Sequence, residues 1–132
     1  MKRSRVALAM SALIMVAALL SLPSCGHDQK LISITVTPSG ANITGTGVEV
    51  DFKAVGTYIH PPENKDITNS VVWTSAAPQV VSIVSNTGVA HSGAACGTNI
   101  TITATAYSNP QNHSGSVVVG TATVSVTHPG VC

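Results

Sequence analysis

The chain has 132 residues, enough for one domain, and only 8% of them are charged. Beyond residue 24 it holds three lysines and five acidic residues, a net charge of −2 with no basic cluster, which argues against nucleic acid as a partner. Residues 25–132 are also too few for a typical barrel enzyme.

The first residues have the pattern of a secretion leader. Residues 2–5 are basic except for Ser4, and residues 6–22 form an apolar stretch interrupted by two serines. The Leu22-Pro23-Ser24-Cys25 segment resembles the lipobox of bacterial lipoproteins, an aliphatic residue and two small residues before a cysteine. The resemblance implies that leader 1–24 is removed and that Cys25 carries a diacylglycerol and a further acyl chain such as palmitate. An uncleaved anchor and an ordinary secretory cut are the alternatives.

A very short tether is predicted between the lipid and the folded domain. Residues 25–30 form this lipidated start, and the domain itself spans 31–132. Five residues after Cys25 reach at most about 17 Å when fully extended. The domain is therefore expected outside the cytoplasm and close to its membrane. Gly26, rather than an acidic residue, follows the cysteine, and by resemblance to Gram-negative sorting this implies the outer membrane or cell surface.

Period-two alternation of apolar and hydroxyl-bearing residues predicts β-strands through the rest of the chain. The predicted strands are 31–37, 48–59, 71–74, 80–84, 89–91, 98–107 and 116–127. Ile32, Ile34 and Val36 are predicted to face the core from the first strand. The inward residues of the second are Val48, Val50, Phe52, Ala54 and Tyr58. Polar loops are predicted at 60–65 and 108–115.

About seven strands, each with one apolar face, predict an all-β fold. Two antiparallel sheets packed face to face would bury these faces, and a half-open barrel is the alternative. Residues 85–88, Ser-Asn-Thr-Gly, are typical of a hairpin turn in which Gly88 adopts positive φ.

Five motifs in order are similar to the bacterial immunoglobulin-like domain of group 2 type. They are Ile34-Thr35-Val36-Thr37-Pro38, Val50-Asp51-Phe52-Lys53-Ala54, Val71-Val72-Trp73-Thr74-Ser75, Asn86-Thr87-Gly88-Val89-Ala90 and Gly97-Thr98-Asn99-Ile100-Thr101-Ile102-Thr103-Ala104. The last holds one residue more than the family pattern, which a β-bulge would accommodate. The resemblance implies a seven-stranded immunoglobulin-like antiparallel sandwich without catalytic residues. Members serve in adhesins, in surface proteins and as spacers of polysaccharide-active enzymes.

Lipidation of Cys25 leaves Cys96 and Cys132, which we expect to form a disulfide outside the cytoplasm. If 98–107 and 116–127 form a hairpin, facing residues have numbers that sum to about 223, so Cys96 lies opposite Thr127. A turn at Pro129-Gly130 would bring Cys132 back to Cys96. A free thiol, an intermolecular bridge and a Cys–His site are the alternatives.

Other polar residues lack the spacing of a catalytic or metal site, so no enzyme activity, metal or cofactor is expected. The histidines are scattered, at positions 27, 60, 91, 113 and 128. Glu49 and Asp51 share a strand face with Lys53, which favours a solvated stripe over a carboxylate pair. Calcium ligation by Glu63 and Asp66 is a less favoured hypothesis, because their spacing matches no calcium loop.

The aromatic residues divide the functional hypotheses. Trp73 and Phe52 are predicted core residues, whereas Tyr107 at a strand end is predicted to be exposed. We therefore expect a non-catalytic, membrane-anchored structural or interaction module at the cell envelope, whose partners are the membrane through its lipid and an envelope protein or polysaccharide. Docking on an exposed edge strand is one expected mode. A carbohydrate- or cell-wall-binding module is the alternative function, and it requires an exposed aromatic cluster.

Overall fold

The computed structural model describes residues 28–132, and this part of the chain is all-β with no helix. The leader, the predicted lipidation site Cys25 and His27 lie outside the described residues. Within residues 28–132, no helix is long and apolar enough to cross a bilayer.

In residues 28–132, ten strands form three hydrogen-bonded sheets. They are β1 Lys30–Thr37, β2 Gly40–Thr44, β3 Glu49–Asp51, β4 Lys53–Ile59, β5 Glu63–Asp66, β6 Val72–Ser75, β7 Val81–Ile83, β8 Val89–Ser92, β9 Gly97–Asn109 and β10 Ser114–Thr127. The four-stranded sheet has the order β2-β10-β9-β6, and the smaller sheets are β1-β4-β5 and β3-β8-β7. Only Phe52 separates β3 from β4, so the two smaller sheets form one layer opposite the four-stranded sheet. The arrangement is sandwich-like.

The β9–β10 hairpin is the longest pairing and carries the predicted β-bulge. Tyr107 pairs with Val117 and Ile100 with Val124, so paired numbers sum to 224. The sum falls to 223 where Gly97 pairs with Val126, and the shift marks the bulge. Asn99 absorbs it with φ +54°, and its amide donates to Ser125 Oγ at 3.1 Å. Asn tolerates this left-handed conformation better than most residues.

The core is built around Trp73 and Phe52, each 1% exposed. Their ring centroids lie 6.4 Å apart, and Trp73 Nε1 donates to the Thr68 carbonyl at 2.9 Å. Gly88 closes the β7–β8 hairpin with φ +76°. A Cβ there would lie 2.5 Å from the Phe52 carbonyl oxygen and 3.1 Å from the Trp73 ring, so both the backbone and the packing require glycine.

Two apolar residues predicted to face inward are exposed. In β1 the register shifts between Leu31 and Ser33, so Leu31 is buried at 1% and Ile32 is 48% exposed. The extra residue reverses the alternation of inward and outward side chains at the start of this strand. The prediction that Ile32 faces the core is therefore wrong. Val48 is 40% exposed because it precedes β3 at the rim of the sandwich.

The predicted loops are shorter than expected. Residues 60–65 contain the start of β5, a polar strand whose Glu63 pairs with Tyr58 and whose Asp66 pairs with Val55. The strand has no apolar alternation because most of its side chains are exposed at the sheet edge. Residues 108–115 shrink to a turn at 110–113, because β9 extends to Asn109 and β10 begins at Ser114.

Candidate functional site

A groove of about 830 Å³ opens beside Tyr107 at the end of the four-stranded sheet where β9 ends and β10 begins. Strand pairing places Tyr107 beside Val117, and Val72 and Val119 on either side of Thr105. Tyr107 is 43% exposed, and the three valines are between 52% and 58% exposed. Tyr107 and these valines form an apolar outer surface, and we call the cavity the Tyr107 groove.

The rim of the groove is polar but uncharged. Asn69 and Ser70 reach it from the segment before β6, and Gln111 and His113 reach it from the β9–β10 turn. The His113 ring meets the Tyr107 ring edge-on, with centroids 6.3 Å apart and an interplanar angle of 72°. The described residues that line the groove include no Asp, Glu, Lys or Arg. It therefore offers an apolar floor, an aromatic ring and uncharged hydrogen-bonding groups.

The chain enters the sandwich at the same end. Strand β1 runs in the direction of β10: Gly40, just beyond β1, pairs with Thr123, and a Cβ on Gly120 would lie 2.6 Å from the Ile34 carbonyl oxygen. Lys30, which begins β1, therefore lies near the start of β10 and the groove. We call this the groove end.

A polar network holds the entering chain against β5. Gln29 Nε2 donates to Glu63 Oε2 at 2.9 Å, and Lys65 Nζ donates to Gln29 Oε1 at 2.6 Å. Lys65 Nζ also lies 3.1 Å from Glu63 Oε2. The hydrogen bond from Gln29, followed by that from Lys65, lowers the pKa of Glu63 below its ordinary value.

The opposite end holds the Cys96–Cys132 disulfide, whose Cα atoms are 6.4 Å apart. His128 lies against it: Nδ1 is 3.5 Å from Cys96 Sγ, and its backbone amide donates to Cys132 Sγ at 3.3 Å. The other ring nitrogen, Nε2, is 2.9 Å from Thr46 Oγ1 and 3.2 Å from the Gly93 carbonyl. We call this the disulfide end.

His128, one of the histidines scattered along the sequence, is thus half-buried against the disulfide. The ligand atoms of Cys96, His128 and Cys132 all lie within 4.8 Å of one another, which is close enough for a metal site. The two sulfurs are bonded to each other, and a thiolate is the form of cysteine that ligates metals. With the disulfide formed, His128 therefore acts as a structural contact between the 128–132 turn and the loop at Thr46.

The remaining predicted polar residues lie apart, each with its own surroundings. Glu49 Oε2 faces His91 Nδ1 at 3.9 Å. Asp66 Oδ1 accepts hydrogen bonds from the Thr68 hydroxyl at 2.6 Å and the Thr68 amide at 2.9 Å, and these bonds lower the Asp66 pKa. His60 is exposed in the turn before β5. Glu63 and Asp66, the hypothetical calcium ligands, are thus engaged with different partners.

Sequence reasoning identified Tyr107 as the exposed aromatic but missed the rest of the groove. The signal was present in Val117-Val118-Val119 and Val71-Val72, where apolar residues occupy both faces of a strand. Asn69 and Gln111 come from separate loops, and only the pairing of β6 with β9 brings them to one place.

Comparison with models of known protein families found no match, and comparison with curated proteins found none either.

Proposed function

We propose that this chain is a non-catalytic, lipid-anchored, extracytoplasmic module of immunoglobulin-like fold that makes binding contacts at the bacterial envelope through the Tyr107 groove. The observation that carries the proposal is the position of the groove. It is an exposed apolar surface at the end where the chain leaves toward Cys25. Contiguous exposed apolar surface of this kind is typical of binding sites.

Strand order supports the immunoglobulin-like interpretation. In that fold one sheet holds strands C, F and G and the other holds A, B, E and D, with a core tryptophan on C. Here β6, β9 and β10 are adjacent in one sheet, and β6 carries buried Trp73. The opposite layer holds β1, the continuous β3–β4 pair, β8 and β7, with β5 as an addition. The parallel pairing of β2 with β10 continues β1 into the opposite sheet.

The surroundings of the acidic groups support a binding role rather than catalysis. General acid–base chemistry needs titratable groups that converge on one cleft. Glu63 is paired with Gln29 and Lys65, and Asp66 with Thr68. Among the described residues that line the Tyr107 groove, the side chains that can exchange a proton are those of Tyr107 and His113, whose rings are in edge contact with each other.

The lipid anchor is tested by cell fractionation and intact mass. The native chain is expected in the membrane fraction, beginning at Cys25 with added acyl mass, whereas the Cys25→Ser variant should carry no acyl mass. A membrane-bound chain that still carries Met1 would contradict the anchor. Reduction should also raise the mass by the two hydrogens of the disulfide.

The groove is tested by photocrosslinking in living cells. A benzophenone amino acid at position 107 inserts into C–H bonds of protein, lipid or saccharide alike, so it reports contact without assuming the partner. Position 131, which is 79% exposed at the disulfide end, is the control. Abundant adducts at 107 and few at 131 are expected. Equal yields at both positions would contradict the groove as the contact surface.

A further inference from the structure

Charged side chains are unevenly distributed between the two layers of the sandwich. The charged residues of the described part are Asp28, Lys30, Glu49, Asp51, Lys53, Glu63, Lys65 and Asp66. None of them lies on β2, β10, β9 or β6. Within residues 28–132, the four-stranded sheet is therefore free of Asp, Glu, Lys and Arg, and the opposite layer and its approaches hold all the formal charge.

We propose that the occupant of the groove is the interfacial region of the bilayer in which Cys25 is anchored, so that the domain contacts the membrane through the groove end of its four-stranded sheet. This inference rests on the proposed lipid anchor. It assigns the membrane, rather than a saccharide or a protein, to the groove.

The short tether and the place where it leaves the domain keep the groove end near the membrane. The chain leaves the described part at the groove end, and residues 26–30 span at most about 17 Å. The two layers of a sandwich are about 10 Å apart, so the outer face of the four-stranded sheet lies within reach of the same membrane surface. The disulfide end lies farther off, because the eleven residues of β9 from Gly97 to Tyr107 cover about 33 Å.

The side chains of the groove are of the kinds that a membrane interface accepts. A membrane interface accepts side chains with an apolar body and a polar tip, and tyrosine is enriched there. Tyr107, Val72 and Val117 supply apolar contact, and Asn69 and Gln111 supply donors for ester and phosphate oxygens. Because the sheet bears no formal charge, contact requires neither anionic lipid nor the removal of water from an ion. Zwitterionic phospholipid is therefore sufficient.

Ile32 is another exposed apolar residue near the tether, but it lies in the layer that carries the charged side chains. Ile32 is 48% exposed, but it lies on β1 near Lys30, Glu63 and Lys65 in the charged layer. It is close to the tether in sequence and remote from the groove in the sandwich. Ile32 therefore separates two explanations of membrane contact, mere nearness to the anchor and docking through the groove.

The test uses the full lipidated chain in phosphatidylcholine vesicles, with or without bromine near the top of the acyl chains, which quenches tryptophan on contact. Three variants each place one exposed indole: Tyr107→Trp in the groove, Ile32→Trp on the charged layer and Val131→Trp at the disulfide end. Trp73 is buried and gives a constant background. About a twofold loss of emission is expected for the indole at position 107, with little change at 32 or 131.

A fourth variant tests the chemistry of the contact. Val117→Asp, combined with Tyr107→Trp, places a charge in the groove at a position 57% exposed, where folding should tolerate it. Quenching is expected to fall to the level of the position-131 indole, while the thermal midpoint stays close to that of Tyr107→Trp alone. Undiminished quenching with Asp at position 117 would overturn the proposal.

The remaining outcomes separate the anchor from the contact. A chain that fails to float with the vesicles overturns both the lipid anchor and the bilayer contact. A chain that floats with an unquenched indole at 107, or with stronger quenching at 32 than at 107, overturns the contact alone. If that unquenched indole instead changes emission when the neutral glucan laminarin is added, the groove belongs to a saccharide.

Discussion

The two ends of the sandwich are held by different kinds of interaction. At the disulfide end a covalent bond joins Cys96 to Cys132, and half-buried His128 ties the turn to Thr46 and Gly93. At the groove end the entering chain is held by Gln29 and an exposed ion pair, and exposed pairs contribute little to stability. The difference indicates that covalent and half-buried contacts are concentrated away from the surface proposed to bind, and that the proposed binding end depends mainly on core packing and strand pairing.

Replacing Trp73 by alanine should have the largest effect and should remove the difference between the ends. Trp73 packs with Phe52 and Gly88 of the opposite layer and pairs with Ala104 in its own sheet. The free energy of unfolding should fall by about 3–5 kcal/mol, as for other buried tryptophans. Urea unfolding followed by circular dichroism gives the size of the loss. Hydrogen exchange should show both ends opening together, and separate transitions would contradict a shared core.

Removing the disulfide should cause the next largest loss of unfolding free energy, and it should change the folded structure at the disulfide end only. The double variant Cys96→Ser/Cys132→Ser should lose about 3–4 kcal/mol on the chain-entropy model, since the closed loop spans a sequence separation of 36. Reductant should destabilise the native protein by a similar amount and leave the double variant unchanged. The NMR shifts of Tyr107 and His113 should stay the same in the folded state. Their displacement would mean that the ends are coupled.

Gly120→Ala should lower the free energy of unfolding by about 1–3 kcal/mol, because the added methyl group overpacks the contact between β10 and β1. The new Cβ would lie 2.6 Å from the Ile34 carbonyl oxygen, which belongs to a backbone that cannot turn away easily. Gly40→Ala is the matched control, because Gly40 follows β1 and also lies beside β10, but its Cβ would meet Thr123 Oγ1 at an ordinary 3.5 Å. Thermal unfolding of both variants tests the contrast. Equal midpoints would show that β1 can shift to accept the methyl group.

Alternation of polarity predicted most of the core and the hairpin register, because both depend on neighbours along one strand. Ile34, Val36, Phe52 and Ala54 are buried as expected. To predict the register of the β9–β10 hairpin, it was enough to place the centre of its turn. From Tyr107 to Ile100 the numbers of paired residues sum to 224 rather than the predicted 223, and beyond the bulge at Asn99 they sum to 223. Local pattern is sufficient where a strand is regular and one of its faces is covered.

The features that sequence did not predict arise from irregular backbone or from assembly. Ile32 is itself the unpaired residue at the register shift in β1, and nothing in the alternation marks such a shift. Strand β5 consists of four polar residues held by pairing with β4, so it lacks a hydrophobic period. The Tyr107 groove requires β6 to pair with β9, a contact between residues far apart in sequence. His128 likewise reaches Thr46 only once both layers are assembled.

The smallest expected effect concerns the pKa of Glu63, and it tests whether the groove end is held as weakly as its exposure implies. The hydrogen bond from Gln29 is the main cause of the lowered pKa, so Gln29→Ala should move the pKa of Glu63 up toward 4.5. A carboxyl whose pKa is lower in the folded state stabilises the fold above its unfolded pKa, and this contribution disappears as the pH falls through the folded value. The variant should therefore lose stability slightly near neutral pH and depend less on pH in the acid range. NMR titration of the Glu63 carboxyl measures the shift, and Asp66, whose pKa is lowered by Thr68, serves as the unaffected control. A shift in both carboxyls would mean that Gln29 organises the whole of β5, and that the groove end is fastened more firmly than a single exposed network allows.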